Sequence, residues 1–149
     1  MSMNSYSING FGACVTKIAK SANAERIAAL IEMAPELKAE LLKTYGVERI
    51  EDLKTDDIRD YASERTNIGT STGIIALAIS RAENIGMLAT TDYNDDEYII
   101  FCARYPWEEC TEEEKALTPE KLQDILWKYL SVISDKRPDV DYCNVEQFG

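Results

Sequence analysis

Apolar residues recur at two spacings along this chain, and the switches between them divide it into elements. In residues 6–15, Tyr6, Ile8 and the stretch from Phe11 suggest a short strand broken at Asn9-Gly10, a dipeptide suited to a turn or bulge. Gly12 adds backbone freedom beside Phe11. The spacing then becomes helical. Ser21 or Asn23 can cap a helix reaching Ala34, with Ile27, Leu30 and Ile31 on one face. Pro35 suits the first turn of a second helix striped by Leu37, Leu41, Leu42 and Tyr45 and stopped by Gly46. Residues 47–53 read as a short linking helix or turn. Thr55 can cap a third helix to Arg65, with Ile58, Tyr61 and Ala62 inward and Asp56 and Asp57 at its positive end.

Residues 66–73 read as a polar loop, followed by a helix over 74–85 that Gly86 closes. Its run from Ile74 to Ile79 leaves few polar positions, so this is the expected central buried helix. A buried strand is the rival for that run, but its length and alanines favour helix. Residues 87–93 and 97–105 form two strands of a hairpin joined by Asn94-Asp95-Asp96, and Pro106 ends the sheet. Thr111 to Glu114 is a capping-box pattern, and Thr118-Pro119 starts a last helix striped by Leu122, Ile125, Leu126, Tyr129, Leu130 and Ile133. After a polar loop around Pro138, residues 140–148 add an edge strand or extended tail. This order predicts an α+β fold: a helical block packed on a small antiparallel sheet containing the 87–105 hairpin, one domain over residues 1–149.

Composition agrees. With 149 residues and 45% hydrophobic positions, the chain can bury roughly 68–70% of its unfolded surface. The polar first ten residues do not resemble a signal peptide, and no apolar run approaches the roughly 20 residues of a membrane helix. The expectation is a soluble protein that stays in the cytoplasm. Cys14, Cys102, Cys110 and Cys143 form no C-x-x-C pair and read as reduced thiols, three of them within apolar or aromatic stretches. The chain has no histidine, which removes Ser-His-Asp and Cys-His catalysis and the commonest metal ligand. No metal site and no cofactor is expected.

The formal net charge of −11 is concentrated. Residues 92–114 hold nine acids and one base, Arg104, whereas the flanking regions are nearly neutral. A solvated face is one reading, and a docking surface for a basic protein is the other. Direct nucleic-acid binding is disfavoured because phosphates require a basic footprint, and an anionic membrane is disfavoured likewise.

Several motifs suggest chemistry and fall short of it. Gly69-Thr70-Ser71-Thr72-Gly73 matches the G-x-S-x-G turn of hydrolases, but polar residues precede it and no histidine can activate Ser71. A hydroxyl-rich helix cap accounts for it. The loop could also hold a phosphate at a helix N-terminus, although it lacks the G-K-[ST] ending of nucleotide loops. Asp92, Asn94 and Asp96 imitate the start of a calcium loop, but Glu97 stands where glycine is needed and Ala103 where the bidentate glutamate belongs. A polar hairpin turn fits better. The carboxylates at 108, 109 and 112–114 suit a helix start, and so polar a run gives no reason for one to be buried. Trp107, after Tyr105-Pro106, can lock a core corner or stand as an aromatic anchor beside the acids, while Trp127 falls beside a helix stripe and reads as packed.

Tyr6-Ser7-Ile8-Asn9-Gly10-Phe11-Gly12, Tyr105-Pro106-Trp107 with Thr111-Glu112-Glu113-Glu114-Lys115 and Leu117-Thr118, and the terminal Val145-Glu146-Gln147-Phe148-Gly149 resemble small uncharacterised proteins encoded by phages and prophages of Gram-positive bacteria. The resemblance implies a setting and carries no activity. The expected function is that of a non-enzymatic accessory protein of a phage or mobile element that binds a protein partner with a basic surface. The candidate contact residues are Asp95, Asp96, Glu97, Glu108, Glu109, Glu112 and Glu113, with Tyr105 and Trp107 as anchors. One version is inhibition of a host defence nuclease by imitating nucleic-acid charge. The alternatives are a structural homo-oligomer component and a carboxylate- or metal-dependent enzyme.

Overall fold

The computed structural model describes residues 5–101 and 110–148. The expectations placed on Cys102, Tyr105, Pro106, Trp107, Glu108 and Glu109 lie outside the described residues. Among those described, seven α-helices pack on a four-stranded antiparallel sheet, so the fold is α+β.

The first strand, β1 (Ser5–Cys14), leads into the short α1 (Thr16–Lys20). Asn9-Gly10 is no turn. β1 runs straight through it, paired from Ser5 to Gly12 with the last strand and from Gly12 to Cys14 with the hairpin. The glycines serve close approach instead. A Cβ on Gly12 would lie 2.1 Å from the Ile99 carbonyl oxygen, and one on Gly10 would lie 2.6 Å from that of Phe101.

The helical block follows. Asn23 caps α2 (Ala24–Glu32) by accepting from the Arg26 N–H at 2.8 Å. Pro35 opens α3 (Pro35–Tyr45), which ends at Gly46 with φ of 65°, a conformation suited to glycine. A 3-10 turn (Ile50–Asp52) leads to α4 (Thr55–Thr66). Lys54, not Thr55, occupies the cap position, and no side chain caps this helix.

The expected loop over 66–73 is shorter than its polarity suggested. Thr66 stays helical, its hydroxyl donating back to the Ala62 carbonyl at 2.8 Å, and Asn67 turns the chain with φ of 61°. The next helix, α5 (Ser71–Glu83), therefore begins three residues before the apolar run, and Asn84 rather than Gly86 terminates it. Residues 71–79 are all buried.

The hairpin is β2 (Met87–Thr91) and β3 (Glu97–Phe101), in register from Thr91 opposite Glu97 to Met87 opposite Phe101. Thr111 opens α6 (Glu112–Lys115), and Thr118 caps α7 (Pro119–Ile133) by accepting from the Lys121 N–H at 3.2 Å. The tail is an edge strand, β4 (Asp141–Phe148), which pairs with β1 and gives the order β2-β3-β1-β4.

The core lies between sheet and helices. Ala13, Ala89 and Ile99 on one sheet face join Ile74, Ile75 and Ile79 of α5 and Leu126, Tyr129 and Leu130 of α7. Ile100, next along β3 and so on the opposite face, is also buried but apart from this core. Trp127 packs at half burial, its indole N–H donating to the Pro138 carbonyl at 3.0 Å beneath the Arg137 guanidinium. Cys14 differs from its expected place, because it is exposed. Among the described residues no helix is long and apolar enough to cross a membrane.

Gly12→Ala should therefore cost about 2–3 kcal/mol of stability, since backbone rather than a flexible side chain must yield. Gly46→Ala meets open space and carries only a left-handed backbone penalty of about 1–2 kcal/mol. Urea unfolding midpoints of the two variants should fall in that order.

Candidate protein-docking site

The acids of residues 92–114 serve local structure in three places. At the hairpin tip, the Asp92 carboxylate accepts from the N–H groups of Asn94 at 2.9 Å and Asp96 at 3.0 Å. Asp95 takes the left-handed position with φ of 63°. The calcium-loop pattern is thus an aspartate-stabilised turn, and among the described residues no three potential ligands converge on one metal-sized point.

Beside the tip, Thr16 donates its hydroxyl to Asp96 at 3.3 Å and accepts from the Glu97 N–H at 2.8 Å. The Thr70 hydroxyl donates to the Glu97 carboxylate. The tip therefore clasps the starts of α1 and α5. Tyr93, 59% exposed, stands in the same turn. Sequence reasoning passed over this aromatic because it reads as the end of a strand.

The other acids sit beyond the far end of the hairpin. Thr111 and Glu114 form a reciprocal capping box, with Glu114 N–H to Thr111 hydroxyl at 3.0 Å and Thr111 N–H to Glu114 carboxylate at 2.9 Å. Glu114 is 8% exposed, contrary to the reading of a uniformly solvated run. Its second oxygen accepts from the Gly86 N–H at 3.1 Å, so burial is compensated by backbone donors on two elements. The Thr111 hydroxyl donates to the Asn84 carbonyl at 2.8 Å, and the Asn84 amide donates to Glu113 at 3.2 Å. These bonds fix α6 against the end of α5.

One acidic stretch of sequence is thus two groups in space, Asp95, Asp96 and Glu97 at the tip and Glu112 and Glu113 beside the end of α5. Five ladder pairs, about 13 Å of strand, separate the two ends of the hairpin. Except at Glu112, the donors to these acids are neutral. Among the described residues, no lysine or arginine pairs with Asp92, Asp95, Asp96, Glu97 or Glu113, while Glu112 pairs with Lys115 at 3.2 Å. Lys20 and Arg59 share a cavity wall with Glu97, and Lys121 shares a cleft with Glu113, but none of these cations lies within ion-pair distance of those acids.

Next to the second group lies an apolar cleft of about 340 Å³. Ile85, Ala116, Leu117 and Ile125 line it, with Glu83, Glu113 and Asp124 as its acids and Lys121 as its base. The lysine ammonium donates to the Ala116 carbonyl at 3.1 Å, which caps the end of α6. Glu83 accepts from the Tyr129 hydroxyl at 2.6 Å and lies 3.8 Å from Lys128. Helical spacing put Ile125 in the core stripe, but it is only partly buried. Of the cleft, the sequence signalled Glu113 alone as a contact residue. Ile85, Leu117, Asp124 and Glu83 come together from separate elements, which spacing along one helix cannot reveal.

Compared with known proteins, the chain matches no family model, no curated protein and no solved structure.

Two outcomes follow from this geometry. Thr111→Ala removes a helix cap and a bond to Asn84, and should lower stability by about 1–2 kcal/mol in denaturant titrations. Buried Tyr129 and half-buried Tyr98 set the alkaline limit. Burial first, then the nearby Cys14 and Asp92, push the Tyr98 hydroxyl up to about 12, while burial and the Glu83 carboxylate raise that of Tyr129. Folded values above the unfolded value of about 10 favour the fold below pH 10 and lose that contribution as pH rises towards 12. The tyrosinate absorbance of Tyr98 and Tyr129 should therefore appear together with unfolding across that window.

Proposed function

We propose that this chain is a non-enzymatic protein-binding module that docks a basic partner at the cleft between α5, α6 and α7. The observation that carries this reading is the pairing of an apolar cleft with a rim of three carboxylates and one lysine. An interface gains most from an apolar anchor in a pocket, while charge around it sets orientation and encounter rate. The cleft offers both. A leucine or phenylalanine side chain fits within it with room to spare, and lysines or arginines flanking that side chain meet Glu83, Glu113 and Asp124.

The hairpin-tip acids lie on the far side of β2 and β3 and add long-range attraction to the same partner. A second copy of this chain is a poor occupant, since it brings the same sign of charge. The resemblance to phage and prophage proteins supports an accessory role in which the partner is a host protein. A nucleic-acid-binding host protein fits because its surface is basic.

The test is affinity capture from a bacterial lysate with wild type, Ile125→Glu, a Glu113→Lys/Asp124→Lys pair, and Asp95→Asn/Asp96→Asn. Wild type should retain a basic protein whose recovery falls on the order of tenfold between low and high salt. Ile125→Glu and the charge reversal should abolish capture, and the hairpin variant should reduce it only slightly. Capture indifferent to the cleft variants would refute the assignment.

A further inference from the structure

We infer that the N-terminal end of α5 binds the phosphate group of a small phosphomonoester, a second site independent of the docking cleft. The loop Gly69-Thr70-Ser71-Thr72-Gly73 delivers the chain into α5, the most deeply buried helix. Gly73 belongs to the first turn, and a Cβ there would lie 2.4 Å from the Ile68 carbonyl oxygen, so the loop folds tightly onto the helix start. The Gly73 N–H is bonded to Thr70 at 3.1 Å, whereas those of Ser71 and Thr72 meet no acceptor among the described residues. They are the two free donors at the positive end of a 13-residue helix.

The side chains point the same way. Ser71 is 5% exposed, lines a cavity of about 450 Å³ at this end, and its hydroxyl has no partner among the described residues. The adjoining Thr72 hydroxyl is wholly buried and also without a partner. Buried hydroxyls are normally bonded; the Thr72 oxygen is sealed off behind the wall, and the unpartnered Ser71 hydroxyl is the one left to the cavity that Ser71 lines. Lys20, Arg59, Thr70 and Glu97 are the other polar side chains of the wall. Lys20 makes no ion pair among the described residues, and Arg59 is tied only to the exposed Asp56, at 3.1 Å. Two N–H groups, a hydroxyl and two cations suit the three terminal oxygens of a phosphate, and the cavity leaves room for the organic group it esterifies.

Glu97 opposes this occupant. It accepts from the Thr70 hydroxyl and is the one carboxylate in the cavity wall. It therefore lowers the affinity of the wild-type site, and neutralising it should have the opposite effect from neutralising a donor.

The test titrates the purified chain with glycerol phosphate and with inorganic phosphate at constant ionic strength, followed by amide NMR shifts or calorimetry, with no partner protein present. Both should saturate, glycerol phosphate the more tightly, with the largest shifts at Ser71 and Thr72. Ser71→Ala and Lys20→Gln should each weaken binding about tenfold, and Glu97→Gln should tighten it by a similar factor. Lys20 is exposed, so its variant folds whether or not Ser71→Ala does. No saturation, or affinity unmoved by Lys20→Gln and Glu97→Gln, would overturn the assignment. Neither result depends on the cleft.

Discussion

A helix without a polar stripe has no side to leave in water, and α5 is such a helix through residues 71–79. Ile74, Ile75, Leu77 and Ile79 alone represent about 6–12 kcal/mol of burial, the same order as the net stability of a whole domain. The rest of the molecule is arranged as a cover. α1, α2, α3, α4 and α7 pack against it, and β2 and β3 close the remaining side. Only its two ends reach polar surroundings, and both candidate sites are found there. At one end are free N–H groups and the hairpin tip. At the other are Asn84, Gly86 and the capping box. The chemistry available to this protein is what the ends of a fully wrapped helix expose.

The acids illustrate how charge and structure divide. A sequence count registers each carboxylate as one negative unit. It cannot register that Asp92 holds a turn, that Glu114 joins two elements from a buried position, or that Glu97 borrows a threonine hydroxyl. Asp92 and Glu97 are held by backbone N–H and hydroxyl donors rather than by a cation, so these bonds do not cancel their field. A group neutralised by a salt bridge would have lost most of its long-range field.

Much of the fold was legible because it follows local rules. Asn23, Pro35, Gly46, Thr111 and Thr118 each stand where a helix terminus requires them, and the stripes of α2, α3 and α7 repeat at helical spacing. Several of the errors share one origin. Asn9-Gly10 resembles a turn and Gly12 a flexible spot, yet both glycines answer to a strand that is distant in sequence. Residues 71–73 are polar and small, yet they are helical because tertiary packing covers them. The cleft was illegible for the same reason, since its walls are contributed by α5, α6 and α7 and converge only after folding. Charge clustering in the chain was visible, but its partition between the two ends of a hairpin depended on which way the strands ran.

The pairing of β1 with β4 joins the two extremities of the described chain. In the order of synthesis β1 precedes every described helix, and β4, its longest partner, follows them all. Until then, most of β1 presents unsatisfied backbone groups along the edge that β4 will occupy. Closure of the sheet is thus a long-range event that local helix formation cannot hasten. The interval before it is when this chain is most open to pairing with a stranger's strand.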